Sequence, residues 1–262
     1  MLEQSPDWAA STAQLQKLLV TTNGTIEDRG TGMLQVDFAN KFVGGGVLED
    51  GCVQEEIRFV IAPELIVSRL MTEELDPNES LLVTGCERFS NYGGYGWLTR
   101  WLSDHRDGNV RDGWGRLATE ILAIDARVCR SLPSQLLDHA LLRELNKAYC
   151  GFRCESDVRC PIATGNWGCG AFGGDLRLKA LLQLMAAAEA KRPICYFTFG
   201  DDALCREVFQ LWQSASSASC TIGKLWTYIL ESAEHLRSKK DGSSSYIYRY
   251  IIDRCKSCLD ND

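Results

Sequence analysis

The chain has 262 residues, of which 35 are acidic, 28 are basic and 3 are histidines, so its formal net charge is −7 at pH 7. This balance argues against a broad electrostatic grip on nucleic acid, although a local basic pocket for one anion is compatible with it. No apolar run reaches the ~18 residues of a membrane span, and Met1 is followed by polar residues rather than by a secretory leader. We therefore expect a folded intracellular protein, in the nucleus, the cytoplasm or both, with no membrane partner.

The first part of the chain predicts a series of short elements. Residues 1–14 resemble a leader or an edge of the chain, and residues 15–262 one domain. The stretch "LLVTTNGTIEDRGTGMLQVDFA" predicts two short strands around an Asn-Gly turn, and its "LVTT" could also close a short helix. Apolar residues at helical spacing predict helices in "VQEEIRFVI" and "PELIVSRLMTEEL". "SLLVTGCERF" predicts a buried strand, and "NYGGYGWLTRW" a loop or hairpin.

Strands and helices alternate in the rest of the chain. "LATEILAIDA" predicts a strand, and "LLDHALLRELNKAYCG" predicts an amphipathic helix that stops at Gly151. The Gly-rich "IATGNWGCGAFGGD" leads into the helix "LRLKALLQLMAAAEAK", with Asp175 as its N-cap. "ICYFTFGD" predicts a further strand, helices follow at about 202–215, 221–237 and 245–257, and 238–245 is a flexible connection. The alternation predicts an α/β fold with a layered sheet.

Twelve cysteines are scattered along the sequence, several within apolar stretches such as "RPICYFTF". Without a leader, we expect reduced thiols rather than disulfides. Cys255 and Cys258 have metal-type spacing, but only three histidines and no second pair with that spacing accompany them. Cys150, Cys154 and Cys160 form a weaker candidate. We therefore expect core packing and surface thiols, with neither a metal nor a cofactor.

Glycines lie at two strand-to-helix junctions: three in a row before Gln54, and "GCGAFGGD" before the helix that Asp175 begins. Such glycines often form only a mobile turn, and "QEE" at a helix start often only complements the helix dipole. They also leave backbone N–H groups uncovered at a helix N-terminus, which is the geometry of an anion site. Two such loops in one α/β domain predict a single elongated ligand with a diphosphate between them.

The pattern GGG-x7-QEE within "VDFANKFVGGGVLEDGCVQEEIRF" resembles the signature of the poly(ADP-ribose) glycohydrolases, whose catalytic part is a macrodomain. The similarity continues through "TGCERFSNYGGYGW", "RELNKAYCGF", "ATGNWGCGAFGGD" and "YFTFGD". It implies a macrodomain with a mixed central β-sheet flanked by helices on both faces. It also implies hydrolysis of the ribose–ribose O-glycosidic bonds of poly(ADP-ribose), with release of ADP-ribose and no metal.

The resemblance implies roles at the scissile bond. Glu56 matches the catalytic acid/base, and Glu55 matches the residue that holds the hydroxyls of the scissile ribose. Asp37, Asn40 and Gln54 match groups that support this ribose and the glutamates. Two neighbouring carboxylates in a partly desolvated cleft cannot both ionise freely, so we expect one to stay protonated at neutral pH and assign that role to Glu56.

The resemblance also implies residues that bind the rest of the ligand. Those at the diphosphate and distal ribose are Gly45, Gly46, Asn166, Gly170, Ala171 and Phe172. Those around adenine are Ile26, Glu27, Tyr95 and Phe199, with Glu27 at the exocyclic amine and the two aromatic residues enclosing the base. Aromatic residues are more often core than ligand platforms when no motif accompanies them. Trp167 and Cys169 are assigned to packing, and Tyr92 is given no role.

Two other functions are compatible with the sequence. Macrodomains also serve as non-catalytic readers of ADP-ribose, and a hydrolase of mono(ADP-ribosyl) proteins would use the same adenine site. The intact QEE favours an enzyme over a reader. We expect a monomer whose partner is poly(ADP-ribose) on modified proteins, without sequence-specific contact to nucleic acid.

Overall fold

The computed structural model describes residues 5–153, 160–237 and 243–259. Its strands are β1 (Leu18–Thr21), β2 (Leu34–Ala39), β3 (Leu81–Thr84), β4 (Ser90–Gly93), β5 (Arg100–Asp104), β6 (Glu120–Asp125), β7 (Ile162–Gly165) and β8 (Ile194–Phe197). Its α-helices are α1 (Ile26–Arg29), α2 (Gln54–Ile61), α3 (Leu132–Gln135), α4 (Asp138–Phe152), α5 (Leu176–Glu189), α6 (Asp202–Ser217), α7 (Ile222–Arg237) and α8 (Ser245–Leu259). Two 3₁₀ helices span Pro63–Leu70 and Gly96–Leu98.

The central sheet is mixed, as predicted. Its strand order is β1-β8-β7-β2-β6-β3. The first five strands run parallel to one another, and β3 pairs antiparallel with β6 at the edge. A separate hairpin consists of β4 and β5. Because parallel strands end at the same edge of a sheet, the loops after β2, β7 and β8 leave from one side, which brings both Gly-rich loops to that side.

Helices cover both faces of the sheet. Val36 and Ile124 belong to a large core that includes residues of α4 to α8. Ile121 and Ala123, which alternate with Ile124 along β6, pack instead with Phe59 of α2. Since successive side chains of a strand point to opposite faces, α4 to α8 lie on one side and α2 on the other.

Three of the predicted elements differ from the structure. β1 and β2 do not form a hairpin, because they run in the same direction with β8 and β7 between them, and α1 follows the turn at Gly24. The segment after Ala62 is a 3₁₀ helix that starts at Pro63 rather than an α-helix. The strand predicted as buried, β3, is an edge strand on which Leu82 is half exposed.

Gly151 does not stop α4, which continues to Phe152. A Cβ at this position would lie 2.7 Å from Ile124 Cγ2 and 2.8 Å from Leu122 Cδ2. Glycine is therefore required here for close approach of α4 to β6 rather than as a helix end. The N-cap Asp175 is confirmed, since its side chain accepts from the Leu178 amide at 2.9 Å.

Part of the N-terminal segment contributes to the core. Trp8 is buried, its indole N–H donates to Asn146 Oδ1 at 2.7 Å, and its ring meets Tyr149 edge-on. The Ser11 hydroxyl donates to Glu189 at 2.5 Å. Residues 1–4, Cys154 and residues 238–242 of the predicted connection lie outside the described residues.

Candidate active site

Two buried carboxylates lie at the first turn of α2 and point back to the loop that precedes it. Glu55 accepts hydrogen bonds from the backbone N–H groups of Asn40, at 2.8 Å, and Gly44, at 2.5 Å. Glu56 accepts from the backbone N–H groups of Gly46 and Val53, each at 3.0 Å. The consecutive glutamates thus bind different parts of one loop, and backbone N–H groups fix both carboxyl groups.

Glycine is needed in this loop because the carboxylates occupy the space that side chains would fill. A Cβ at Gly45 would collide with Glu56 Oε1 and lie 2.8 Å from Glu55 Oε2, and Gly45 has a positive φ of 48°. A Cβ at Gly51 would lie 2.6 Å from Glu56 Cγ. The glycines therefore admit the two carboxylates against the main chain.

The amides of the triglycine have partners within the protein. Gly44 donates to Glu55, Gly46 donates to Glu56, and Gly45 donates to the carbonyl of Phe42 at 3.0 Å. The sequence analysis expected uncovered N–H groups at these glycines, and in the structure all three have acceptors; the assignment of Gly45 and Gly46 to the diphosphate stays a prediction. The neighbouring carboxylates and a turn carbonyl occupy those donors.

A third acid, Asp37 on β2, lies beneath the pair. Neither of its carboxyl oxygens has a hydrogen-bond partner in the described residues. Burial raises the pKa of Asp37 to about 7, against the attraction of the Arg58 guanidinium, and the charge of Glu56 adds to the rise. Burial and the proximity of Asp37 also raise the pKa of Glu55, which the Asn40 and Gly44 amides oppose. Burial therefore favours the protonated forms of Glu55 and Asp37.

The remaining residues predicted near the scissile ribose hold the loop in place. Gln54 accepts from the Phe38 amide at 2.8 Å and donates to the Val36 carbonyl at 3.2 Å, so its side chain joins α2 to β2. The Asn40 side chain accepts from the Phe42 amide at 3.0 Å and closes a local turn. Both residues lie next to Glu55 and Glu56, as predicted.

On the predicted adenine side, Ile26 and Glu27 lie together on α1. Ile26 is buried in a small cluster with Phe197, and Glu27 accepts a hydrogen bond from the Tyr92 hydroxyl. The sequence analysis gave Tyr92 no role. The only signal was its place in the aromatic "NYGGYGW" motif, because the contact joins residues 65 positions apart.

Tyr95 lies between β4 and β5, directly before the 3₁₀ helix Gly96–Leu98. Burial raises the pKa of its phenol, a hydrogen bond from the backbone N–H of Gln54 lowers it, and the charge of Glu56 raises it. The Tyr95 side chain is more than half exposed. The tyrosine whose hydroxyl donates to Glu27 is Tyr92, and the assignment of Tyr95 to adenine stays a prediction.

The second loop and Phe199 lie at the ends of β7 and β8. Asn166 accepts from the Tyr196 hydroxyl at 3.1 Å, and the Phe172 carbonyl accepts from the Cys129 amide at 2.7 Å. Gly170 and Ala171 are exposed in the same loop.

Phe199 has a positive φ of 52°, and its half-exposed ring stacks on Phe197. Trp167 is buried and donates to the Ile124 carbonyl at 2.8 Å, in keeping with its assignment to packing.

The family described as poly(ADP-ribose) glycohydrolase, macro domain fold, matches residues 5–206. The chain belongs to the poly(ADP-ribose) glycohydrolase family. The predicted macrodomain fold and the resemblance that implied it are thereby confirmed. The residues matched contain both Gly-rich loops and all the predicted site residues.

Known poly(ADP-ribose) glycohydrolases from plants and nematodes are similar over most of this chain. It is 37% identical to poly(ADP-ribose) glycohydrolase 1 of Arabidopsis thaliana, over 87% of this chain and 54% of that protein. It is 40% identical to poly(ADP-ribose) glycohydrolase 2 of Caenorhabditis elegans, over 87% of this chain and 48% of that protein. The chain thus spans about half the length of these two relatives.

Among solved structures, the poly(ADP-ribose) glycohydrolase of Deinococcus radiodurans in complex with ADP-ribose is similar to this chain. The identity is 17% and the TM-score 0.44, over 79% of this chain and 91% of that one.

Neither a metal cluster nor a membrane helix occurs in the described part of this glycohydrolase family member. No three His, Cys, Asp or Glu residues in it are grouped so that they could hold a metal ion. Of the predicted C-terminal pair, Cys255 is buried in α8 and Cys258 is half-buried. None of its helices combines the length and the apolar character needed to cross a bilayer.

Proposed function

We propose that this chain hydrolyses the ribose–ribose O-glycosidic bonds of poly(ADP-ribose) and releases ADP-ribose. The single observation that carries the proposal is the pair of buried carboxylates, Glu55 and Glu56, bound to the amides of a glycine loop at the start of α2. The Arabidopsis thaliana and Caenorhabditis elegans relatives are named for this activity.

Glu56 is the residue best placed to exchange protons with substrate. It lines an open cleft of about 210 Å³ between α2 and the β4–β5 hairpin. In the proposed reaction its carboxyl group gives a proton to the leaving ribose oxygen as the bond from that oxygen to the anomeric carbon breaks. The resulting carboxylate then takes a proton from a water whose oxygen bonds to the anomeric carbon. Glu56 thus acts first as acid and then as base.

Glu55 has a different role in this proposal. Its carboxyl group is fixed by the Asn40 and Gly44 amides, and burial favours its protonated form. A neutral carboxyl can donate a hydrogen bond to a ribose hydroxyl, and it adds no repulsion to a diphosphate nearby. Burial also raises the pKa of Asp37. This carboxyl therefore adds less negative charge beneath the pair than an ordinary aspartate would. Burial thus supports one acid/base beside a neutral Glu55 and an Asp37 whose pKa is about 7.

The same carboxylates favour this function over one of the two alternatives. A reader of ADP-ribose needs a ligand site but no group for proton transfer, so the fixed and buried Glu56 favours an enzyme. A hydrolase of mono(ADP-ribosyl) proteins would share the site, and only the substrates distinguish it. We propose that the protein acts as a monomer on polymer attached to modified proteins, in the nucleus, the cytoplasm or both.

The decisive experiment compares Glu56→Gln with the unchanged protein on polymer and on a mono(ADP-ribosyl) protein. We expect polymer hydrolysis to fall by about 100- to 10,000-fold, the usual effect of removing a positioned acid. ADP-ribose binding, measured by calorimetry, should persist, because the amide replaces the carboxyl in the same shape. Glu49→Gln, an exposed carboxylate of the same loop, is the control and should keep full activity. Near-normal polymer hydrolysis by Glu56→Gln would show that another residue is the acid.

A further inference from the structure

A cavity of about 220 Å³ lies between α4, α5 and the loop that follows β6. Arg127 and Arg130 of this loop line it together with Lys179 of α5. We refer to this cavity, defined by these three residues, as the arginine pocket. None of the residues predicted at the candidate active site lines it, so the arginine pocket is a separate cavity.

The arginine pocket reaches a buried ammonium group. Lys179 is 1% exposed, its Nζ donates to Glu144, and this nitrogen lies 4.1 Å from the centroid of the Trp167 ring. An ammonium has three N–H donors, and Glu144 is the one hydrogen-bond acceptor that the described part of the chain offers it. Burial lowers the pKa of Lys179 to about 7, so a further negative charge in the pocket would favour the charged form.

Among the described residues that line the arginine pocket, Glu144 is the one carboxylate, and its charge is already balanced. It accepts from the Arg143 guanidinium at 2.7 Å, from the Lys179 ammonium, and from the backbone N–H of Arg127 at 3.2 Å. Three basic side chains thus face one paired carboxylate, in a chain whose formal net charge is −7. A cavity lined by charges of one sign concentrates ions of the opposite sign.

The two arginines at the open side of the pocket have donors to offer a ligand. Both residues are exposed, and neither guanidinium has a hydrogen bond or an ion pair with another described residue. The planar fork of N–H donors in a guanidinium matches the oxygens of a phosphate. The volume corresponds to roughly seven waters, below the about 300–1,000 Å³ of sites for larger ligands. The pocket therefore suits a phosphate group rather than a whole nucleotide.

We propose that the arginine pocket binds a phosphate group, with Arg127 and Arg130 at its open side and Lys179 at its buried side. The phosphate is either a free ion or part of a diphosphate. The inference goes beyond the proposed function and does not depend on it, because binding of an anion here requires no hydrolysis.

Isothermal titration calorimetry with inorganic phosphate and with pyrophosphate tests the proposal. Saturating ADP-ribose in the cell keeps these probes out of the candidate active site. We expect Arg127→Gln and Arg130→Gln each to weaken phosphate binding by about 10- to 100-fold, the usual effect of losing a hydrogen bond to a charged group. Arg127→Lys should restore part of the affinity, because it keeps the charge and loses the planar fork. Tighter binding of pyrophosphate would identify a diphosphate as the ligand, and the reverse order a single phosphate.

Arg206→Gln is the matched control, because Arg206 is an exposed arginine of α6 that does not line the pocket. It should bind phosphate as the unchanged protein does. Thermal melts of all variants should coincide, since the two guanidinium groups have no partners in the described residues whose loss would weaken the fold. Equal phosphate affinity in Arg127→Gln and Arg206→Gln would overturn the inference, and so would an unchanged protein that binds neither probe. If the arginine variants lose phosphate binding while Glu56→Gln hydrolyses polymer normally, the arginine pocket stands and Glu56 is not the acid.

Discussion

The backbone N–H of Gly46 donates to the carboxylate of Glu56, ten positions further along the chain, at 3.0 Å. The loop and the first turn of α2 therefore position each other, since the second carboxylate oxygen accepts from the amide of Val53. Main-chain N–H groups bind the carboxylate, while the Arg69 guanidinium donates to the Gly45 carbonyl at 2.9 Å. The precision of this arrangement depends on how closely the carboxylate can approach the main chain. The missing side chain of Gly45 provides that approach.

We expect Gly45→Ala to reduce hydrolysis by about 100-fold, because the added Cβ collides with the Glu56 carboxylate and a shift of about 1 Å has an effect of that size. The positive φ adds a stability loss of roughly 1–2 kcal/mol. Rates on polymer and urea denaturation measure the two effects.

Gly32→Ala is the control for backbone strain. Gly32 has a positive φ of 73°, but a Cβ there meets nothing within 4 Å. The Gly32→Ala variant should lose a similar amount of stability and hydrolyse polymer at the rate of the unchanged protein. Equal rates in the two variants would show that Gly45 does not set the position of Glu56.

We expect Tyr92→Phe to weaken ADP-ribose binding by about tenfold, which corresponds to about 1.4 kcal/mol, the size of one hydrogen bond. The substitution removes the hydroxyl that donates to Glu27 and keeps the ring. Calorimetry with ADP-ribose measures the change. Tyr250→Phe removes a similar bond, to Glu231 at 2.7 Å on α7, and should leave binding unchanged. If both variants bind ADP-ribose equally well, the Tyr92 hydroxyl does not orient Glu27.

The sequence predicts the elements around the site better than the contacts within it. Helical spacing and the adjacent glycines predict α2 after its loop, and Asp175 as the N-cap of α5, because both depend on neighbouring residues. The Tyr92–Glu27 contact depends on how a distant hairpin packs against α1, which no local pattern encodes.

Two further differences have the same physical origin. Glycine often ends a helix, yet Gly151 lies within α4, where the close packing of α4 on β6 leaves no room for a side chain. The glycine loop has the composition of an anion site, yet its amides bind the two carboxylates that the fold brings against them. In both cases the local sequence is compatible with more than one structural role, and the tertiary contacts determine which role the glycines have.

We expect Lys147→Met to lower the free energy of unfolding by about 3–5 kcal/mol, because it leaves buried Asp125 with one cationic partner fewer. The Lys147 side chain is 0% exposed, and its ammonium lies 2.6 Å from Asp125 Oδ1. It also donates to the carbonyls of Asp76 and Glu79, at 2.6 and 2.7 Å. Urea denaturation measures the loss.

Lys41→Met is the surface counterpart. Lys41 pairs with Glu74, and their side chains are 51% and 50% exposed. Such a pair contributes at most about 1 kcal/mol. A loss in Lys147→Met no larger than in Lys41→Met would mean that the buried ammonium does not stabilise the fold.

We expect Asp37→Asn to change how stability depends on pH between about 4 and 7. Burial raises the pKa of Asp37 to about 7 in the folded protein, whereas an unfolded chain has about 3.9. Between these values the folded state binds more protons than the unfolded state, so this carboxyl makes stability fall as pH rises. The slope for one proton is at most about 1.4 kcal/mol per pH unit. Below pH 4 its contribution is fully present, and above pH 7 it is lost.

The measurement is urea denaturation of both proteins at several pH values between 4 and 8. The stability of the unchanged protein minus that of Asp37→Asn should decrease through this range and then level off. Asparagine has nearly the same shape, and neither oxygen of Asp37 has a hydrogen-bond partner in the described residues, so little else changes. Asp138→Asn, whose side chain is 66% exposed, is the control. Parallel pH profiles for all three proteins would mean that Asp37 is ionised in the fold, and the carboxyl pair above it would then face a full negative charge.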